Sequence, residues 1–178
     1  LFRSKKGNSI QYIKDENEME KYLIEEGSKK LIYEVPKNKN ESTKITNIDL
    51  VKLLNLCKTV QKLVNRLTRR IENKLVIEQA AVIAALKADS YKNPNFGKEI
   101  AKYLELRLNT IEPKKWKVNF ENSALSIIYL HRGVEKKYTI NSEFLFTPET
   151  KSLNELRKSL MKNFGLLKNG SAGILRHG

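Results

Sequence analysis

The sequence predicts an α+β protein: a helical section around one long helix, followed by a three-stranded antiparallel meander and a C-terminal helix. Two observations carry this. From Leu50 to Ile71, Leu50, Leu53, Cys57, Val60, Val64, Leu67 and Ile71 recur at alternating intervals of three and four, one seam of an α-helix. From Trp116 onward the period falls to two, the mark of half-buried strands. The two periods occupy separate stretches instead of alternating, which separates α+β from α/β.

Leu1 to Lys6 and Ser9 to Ile13 read as two short strands around Gly7-Asn8. Asp15, with Glu18 three residues on, is an Asp variant of the capping box, so a helix follows, with Met19, Tyr22 and Leu23 on its apolar face and Gly27 placed to end it. Leu31 to Val35 is a strand by its β-branched and aromatic content. Pro36 to Thr43 reads as a polar loop and the best candidate for disorder.

The long helix is expected from about Ile48 to Ile71, about 33 Å at 1.5 Å per residue. Leu54, Leu56 and Leu63 lie off the seam and widen the stripe, as in a helix clamped between neighbours. Leu75 to Lys87 is a second helix, packed back against the first. Asn93-Pro94 opens a third, with Phe96, Ile100, Leu104 and Ile111 on one face and Pro113 as its stop.

Trp116, Val118 and Phe120, then Leu125, Ile127 and Tyr129, then Tyr138 and Ile140 form the strands of the meander, with turns at Asn122-Ser123 and Arg132-Gly133. Ser152 and Glu155 make a capping box for the last helix, with Leu153, Leu156, Leu160 and Phe164 on one face and Gly165 at its end. The tail from Asn169 to Gly178 is too glycine-rich to assign. The chain has no initiator Met, as expected of a trimmed piece of something longer.

Composition narrows the function. A net charge of +14 favours a polyanionic partner, although Lys greatly outnumbers Arg, a bias that scattered surface lysines also produce. Lys58, Lys62 and Arg66 follow one another at intervals of four, with Arg69 and Arg70 a turn further, and the run from Leu50 to Ile71 holds no acidic residue. These five are the candidate DNA- or partner-binding residues; a solvated, salt-screened ridge is the competing reading.

No run is long enough to span a membrane. One cysteine, Cys57, excludes an internal disulfide framework and fits a reducing cytosol; on the seam it reads as a small hydrophobe. No phosphate-binding loop, Asp-x-Asp pair, metal-spaced histidine pair or nucleophile elbow is present, so catalytic and metal-binding residues are expected to be absent. His131 and His177 read as surface or satisfied imidazoles, Tyr12 as half-buried core and Trp116 as meander core rather than a base-stacking platform.

The segment LFRSKKGNSIQYIKDENEMEKYLI, through Leu1, Phe2, Lys6, Gly7, Tyr12, Ile13, Lys14, Asp15, Glu18 and Met19, resembles the part of the bacterial DNA gyrase B protein beyond the acidic metal-binding motifs of its toprim region. Thr59 to Lys62, Arg69-Arg70 and His131 to Val134 more loosely resemble the insert carried there by Gram-negative gyrases. The resemblance implies residues 1–27 as an edge of the toprim domain and 28–178 as an α+β insert domain.

It further implies a topoisomerase that negatively supercoils DNA using ATP, with magnesium on toprim carboxylates outside this chain and the cleaving tyrosine on the gyrase A protein. The isolated chain is then inactive and positions DNA and the other gyrase chains. The implied partners are double-stranded DNA and the gyrase A protein, in a cytoplasmic heterotetramer. The alternatives are a free-standing basic nucleic-acid-binding domain and a purely structural scaffold.

Overall fold

Gly7, at φ +58°, turns the chain between strands β1 (Phe2–Lys6) and β2 (Ser9–Ile13), a left-handed conformation that costs glycine nothing. The computed structural model describes residues 2–38, 41–163 and 174–177. It divides into two compact units, Leu1–Lys58 with Leu160–Gly178, and Thr59–Ser159.

In the first unit the hairpin is followed by helix α1 (Glu16–Ser28), whose N-cap Asp15 accepts from the Glu18 amide at 2.9 Å while the Glu18 carboxylate accepts from the Lys14 amide. Ile13 is fully buried and Ser4 Oγ meets the Tyr22 hydroxyl at 3.0 Å. Tyr12 is 63% exposed rather than half-buried: it pairs with Arg3, on the hairpin face opposite Ile13. Leu23 is likewise exposed; the half-buried side of α1 is Met19, Tyr22 and Ile24. The helix runs one residue past Gly27.

The expected loop at Pro36 to Thr43 is instead part of a hairpin. Strand β3 (Leu31–Asn38) continues through Pro36, and β4 (Glu41–Thr46) returns beside it, with a register shift between Pro36 and Asn38. A bulge is a place where a sheet tolerates proline. Strand β8 (Ile174–His177), unassigned from sequence, lies antiparallel on the other side of β3. Gly165, Phe164 and most of the glycine-rich tail lie outside the described residues.

Helix α2 (Asn47–Leu67) begins in this unit, with Leu50 and Leu53 buried, and runs into the second. It stops four residues before Ile71. Thr68 Oγ1 bonds back to the Val64 carbonyl at 2.8 Å, and the amides of Arg69 and Arg70 close tighter turns onto Arg66 and Leu67. Ile71 is nevertheless buried, so the seam outlasts the helix.

The second unit holds a core of Val64, Leu67, Ile71 and Val76 with Leu104, Leu108, Ile127 and Ile140. Helix α3 (Lys74–Val82) is shorter than expected. Ala84, at φ +61°, reverses the chain; the Ala85 amide bonds Ala80 O and the Ala84 amide bonds Ala81 O, a Schellman ending with alanine in the usual glycine position. α3 lies against α4 (Pro94–Ile111), and Arg107 Nε bonds Gln79 Oε1 at 2.9 Å between them. The buried face of α4 is Gly97, Ile100, Ala101, Leu104 and Leu108; Phe96 and Ile111, expected on it, are about half exposed.

The meander forms as expected, in the order β5 (Trp116–Glu121), β6 (Ala124–His131), β7 (Val134–Ile140). Both turns have two positive-φ residues, Asn122-Ser123 and Arg132-Gly133, matching the mirror-image turn a twisted hairpin favours. Asn109 ties α4 to β5: its amide donates to Trp116 O and its carbonyl accepts from the amides of Lys115 and Trp116. Trp116 is buried, with its indole N–H on Glu112.

A short helix α5 (Ser142–Leu145), capped by Asn141, was not foreseen. The last helix, α6 (Pro148–Asn163), starts four residues before the expected capping box. Thr147 caps it by accepting from the Thr150 amide, Pro148 takes the first position, and Ser152 lies inside.

Candidate nucleic-acid interface

The candidate cations do not share one environment. Lys58 is the last residue of the first unit and forms an ion pair with Glu20 of α1; its side chain is only 23% exposed. Lys62 and Arg66 stand one turn apart on α2 in the second unit, both exposed. Arg66 occupies the last turn, where the negative end of the helix dipole favours a cation. Arg69 and Arg70 lie beyond the helix in the turn that follows it, exposed, and belong to no ridge on a helical face.

Arg70 enters a different constellation. With Ile71 and Glu72 it forms one side of a cleft of about 510 Å³, whose other side is Lys136 to Thr139 of β7. Sequence reasoning missed Lys136 and Lys137. The signal was there: adjacent lysines in a strand mark a sheet edge, and β7 is such an edge.

Among the described residues no group of three or more His, Cys, Asp or Glu side chains is placed to hold a metal ion. His131 is exposed and its ring stacks on Tyr129, centroids 5.9 Å apart; nothing is described of the His177 side chain. Cys57 is half-buried, and desolvation, partly offset by a backbone hydrogen bond, holds its thiol above the ordinary value. No described helix is long and apolar enough to cross a membrane. This surface can take an anion by charge.

Two family models match the chain. Residues 37–172 match the DNA gyrase B subunit insert domain. The chain belongs to that family. Residues 1–25 match a second model, described as the hook of GyrB, so the chain carries hook and insert of one GyrB protein and is part of a topoisomerase. No curated protein matches it. The hook match covers β1, β2 and the first part of α1; the insert match covers α2 and the whole second unit.

Proposed function

We propose that this GyrB segment is non-catalytic and positions duplex DNA and the gyrase A protein for an ATP-dependent enzyme that negatively supercoils DNA in the cytoplasm. The assembly in this reading is a heterotetramer. Lys62, Arg66, Arg69 and Arg70 form its contact surface, and Lys58 takes a bracing role through Glu20. The observation that carries the reading is the run from Leu50 to Ile71: exposed cations at its C-terminal end with no acidic residue among them. Clustered positive charge of this kind complements a polyanion.

ATP and magnesium belong elsewhere in this proposal. The donors that a magnesium ion takes, clustered carboxylates, are not assembled among the described residues, so this reading assigns none of the described residues to the metal.

The test is salt-dependent binding of duplex DNA to the wild-type chain and to Lys62→Glu/Arg66→Glu. Each lost phosphate contact lowers the slope of log K against log salt by about 0.9, so the double variant flattens it by roughly 2 whatever the DNA sequence. An unchanged slope with the fold intact removes DNA from the account. Capture of the gyrase A protein by the wild type but not by the variant would then leave a protein-positioning role, and loss of both contacts would leave a scaffold.

A further inference from the structure

The cleft beside β7 has a feature that a phosphate site does not need: one wall is a free strand edge. β7 pairs only with β6. The two-residue turn at Arg132-Gly133 closes on the pair His131 and Val134, which in such a hairpin exchanges both backbone hydrogen bonds. Antiparallel pairs alternate from there, so Val134, Lys136, Tyr138 and Ile140 point their backbone groups at β6. Glu135, Lys137 and Thr139 point theirs outward. Among the described residues no backbone or side-chain group bonds to these outward groups. Lys137 and Thr139 lie on the cleft wall, opposite Arg70, Ile71 and Glu72.

The charge of the cleft is equally one-sided. Arg70, Lys136 and Lys137 line it with Glu72 as the one acid, and none of the three cations has an ion pair among the described residues. Lys136 and Lys137 are neighbours on a strand and therefore project from opposite faces of the sheet.

We propose that this cleft takes an acidic, extended peptide segment of a partner protein as a fourth strand on β7. The peptide's amides and carbonyls complete the outward groups of Lys137 and Thr139, and its successive carboxylates meet Lys136 on one face of the sheet and Lys137 on the other, with Arg70 across the cleft. Strand addition draws affinity from main-chain bonds and selectivity from the side chains beside them. The outward groups favour a peptide over DNA, because each outward residue presents both an N–H and a carbonyl, and a peptide strand satisfies both whereas a phosphate satisfies only the N–H. This proposal is independent of the DNA contact through Lys62 and Arg66.

The experiment measures binding of a fluorescein-labelled heptapeptide of glutamates and valines to the whole 178-residue chain, beside the same peptide N-methylated at alternate amides. Methylation removes strand donors and leaves charge untouched, so the parent peptide binds and the methylated one binds about tenfold or more weakly. Thr139→Pro deletes one outward amide without touching a bond to β6 and weakens the parent peptide likewise; Lys137→Glu does so through charge. Equal binding of the two peptides, or no saturable binding of either, overturns the proposal. So does a short DNA duplex whose binding is weakened by Lys137→Glu while the peptide does not bind, since the cleft is then a phosphate site.

Discussion

The end of the Phe120 ring fills the place where a side chain on Gly97 would begin: a Cβ there would lie 2.4 Å from Cζ. Gly97 is buried on α4 and Phe120 comes from β5, so the missing side chain lets a ring of the sheet reach the helix backbone. Tyr91 packs on the same ring, centroids 5.7 Å apart, and limits where the ring can go. Gly97→Ala gains about 0.5–1 kcal/mol of helix propensity, but overpacking costs about 1–3 kcal/mol, and the clash wins. The expected outcome is a lower unfolding midpoint in the wild-type background. In a Phe120→Ala background the same substitution becomes neutral or stabilising. A loss of the same size in both backgrounds would show that Phe120 is not the cause.

Ala84 offers the opposite experiment. It holds φ +61° at the end of α3, in the conformation that a Schellman ending requires and a Cβ opposes. The left-handed region costs an L-residue roughly 1–2 kcal/mol, and glycine's extra chain entropy takes back only part of that. Ala84→Gly is expected to stabilise the chain by about 1 kcal/mol, visible as a raised urea midpoint with an unchanged slope. A destabilised variant would mean that the Ala84 methyl contributes more by packing than it costs in strain.

What the sequence revealed, and what it concealed, follows from the kind of signal each element leaves. The meander was legible because its turns and its alternation of buried and exposed residues are local. The end of α2 was not, because Ile71 keeps the seam's spacing after the backbone has left the helix. Apolar periodicity reports burial rather than hydrogen bonding. The hairpin of β3 and β4 was hidden by Pro36 and polar residues, and its central strand is flanked by β8 from far along the chain, which no window around residue 36 contains. Helix α6 starts at Pro148, capped by Thr147, ahead of the expected box at Ser152 and Glu155, because proline is preset for the first helical position. At the candidate site, counting by four aligned Lys58 with Lys62 and Arg66 but gave no view of Glu20 on α1. Nor could it bring Arg70 to Lys136 and Lys137, whose proximity is tertiary.

The seam of α2 is tested by adjacent positions of opposite exposure. Val64 is 2% exposed and Asn65 is on the surface. Val64→Asp buries a carboxylate without a partner, a change that costs about 3–5 kcal/mol against a typical total of about 5–15 kcal/mol. Asn65→Asp is expected to stay within about 0.5 kcal/mol, as surface changes do. Thermal unfolding of the two variants distinguishes them, and equal shifts would contradict the orientation of the helix.

Tyr91 links the fold to pH. It is 5% exposed, and its hydroxyl donates to the Ala85 carbonyl at 2.7 Å, bracing the chain just past the Ala84 reversal. Burial pushes its phenol well above the ordinary value, because the phenolate would lose its water. The folded state therefore keeps a proton that the unfolded chain releases near pH 10. The stabilisation is fully present below that pH and is lost above it, at up to about 1.4 kcal/mol per pH unit for a single group. Tyr91→Phe removes the titrating group and leaves the Ala85 carbonyl without its donor, costing about 1–3 kcal/mol at neutral pH. The stability gap between wild type and variant is then expected to narrow as pH rises beyond about 10, since only the wild type carries the penalty. Urea unfolding of both proteins across that range reads the gap directly, with background contributions from the lysines and other tyrosines common to the pair. A gap that stays constant would show that the Tyr91 phenol ionises in the folded chain as readily as in the unfolded one.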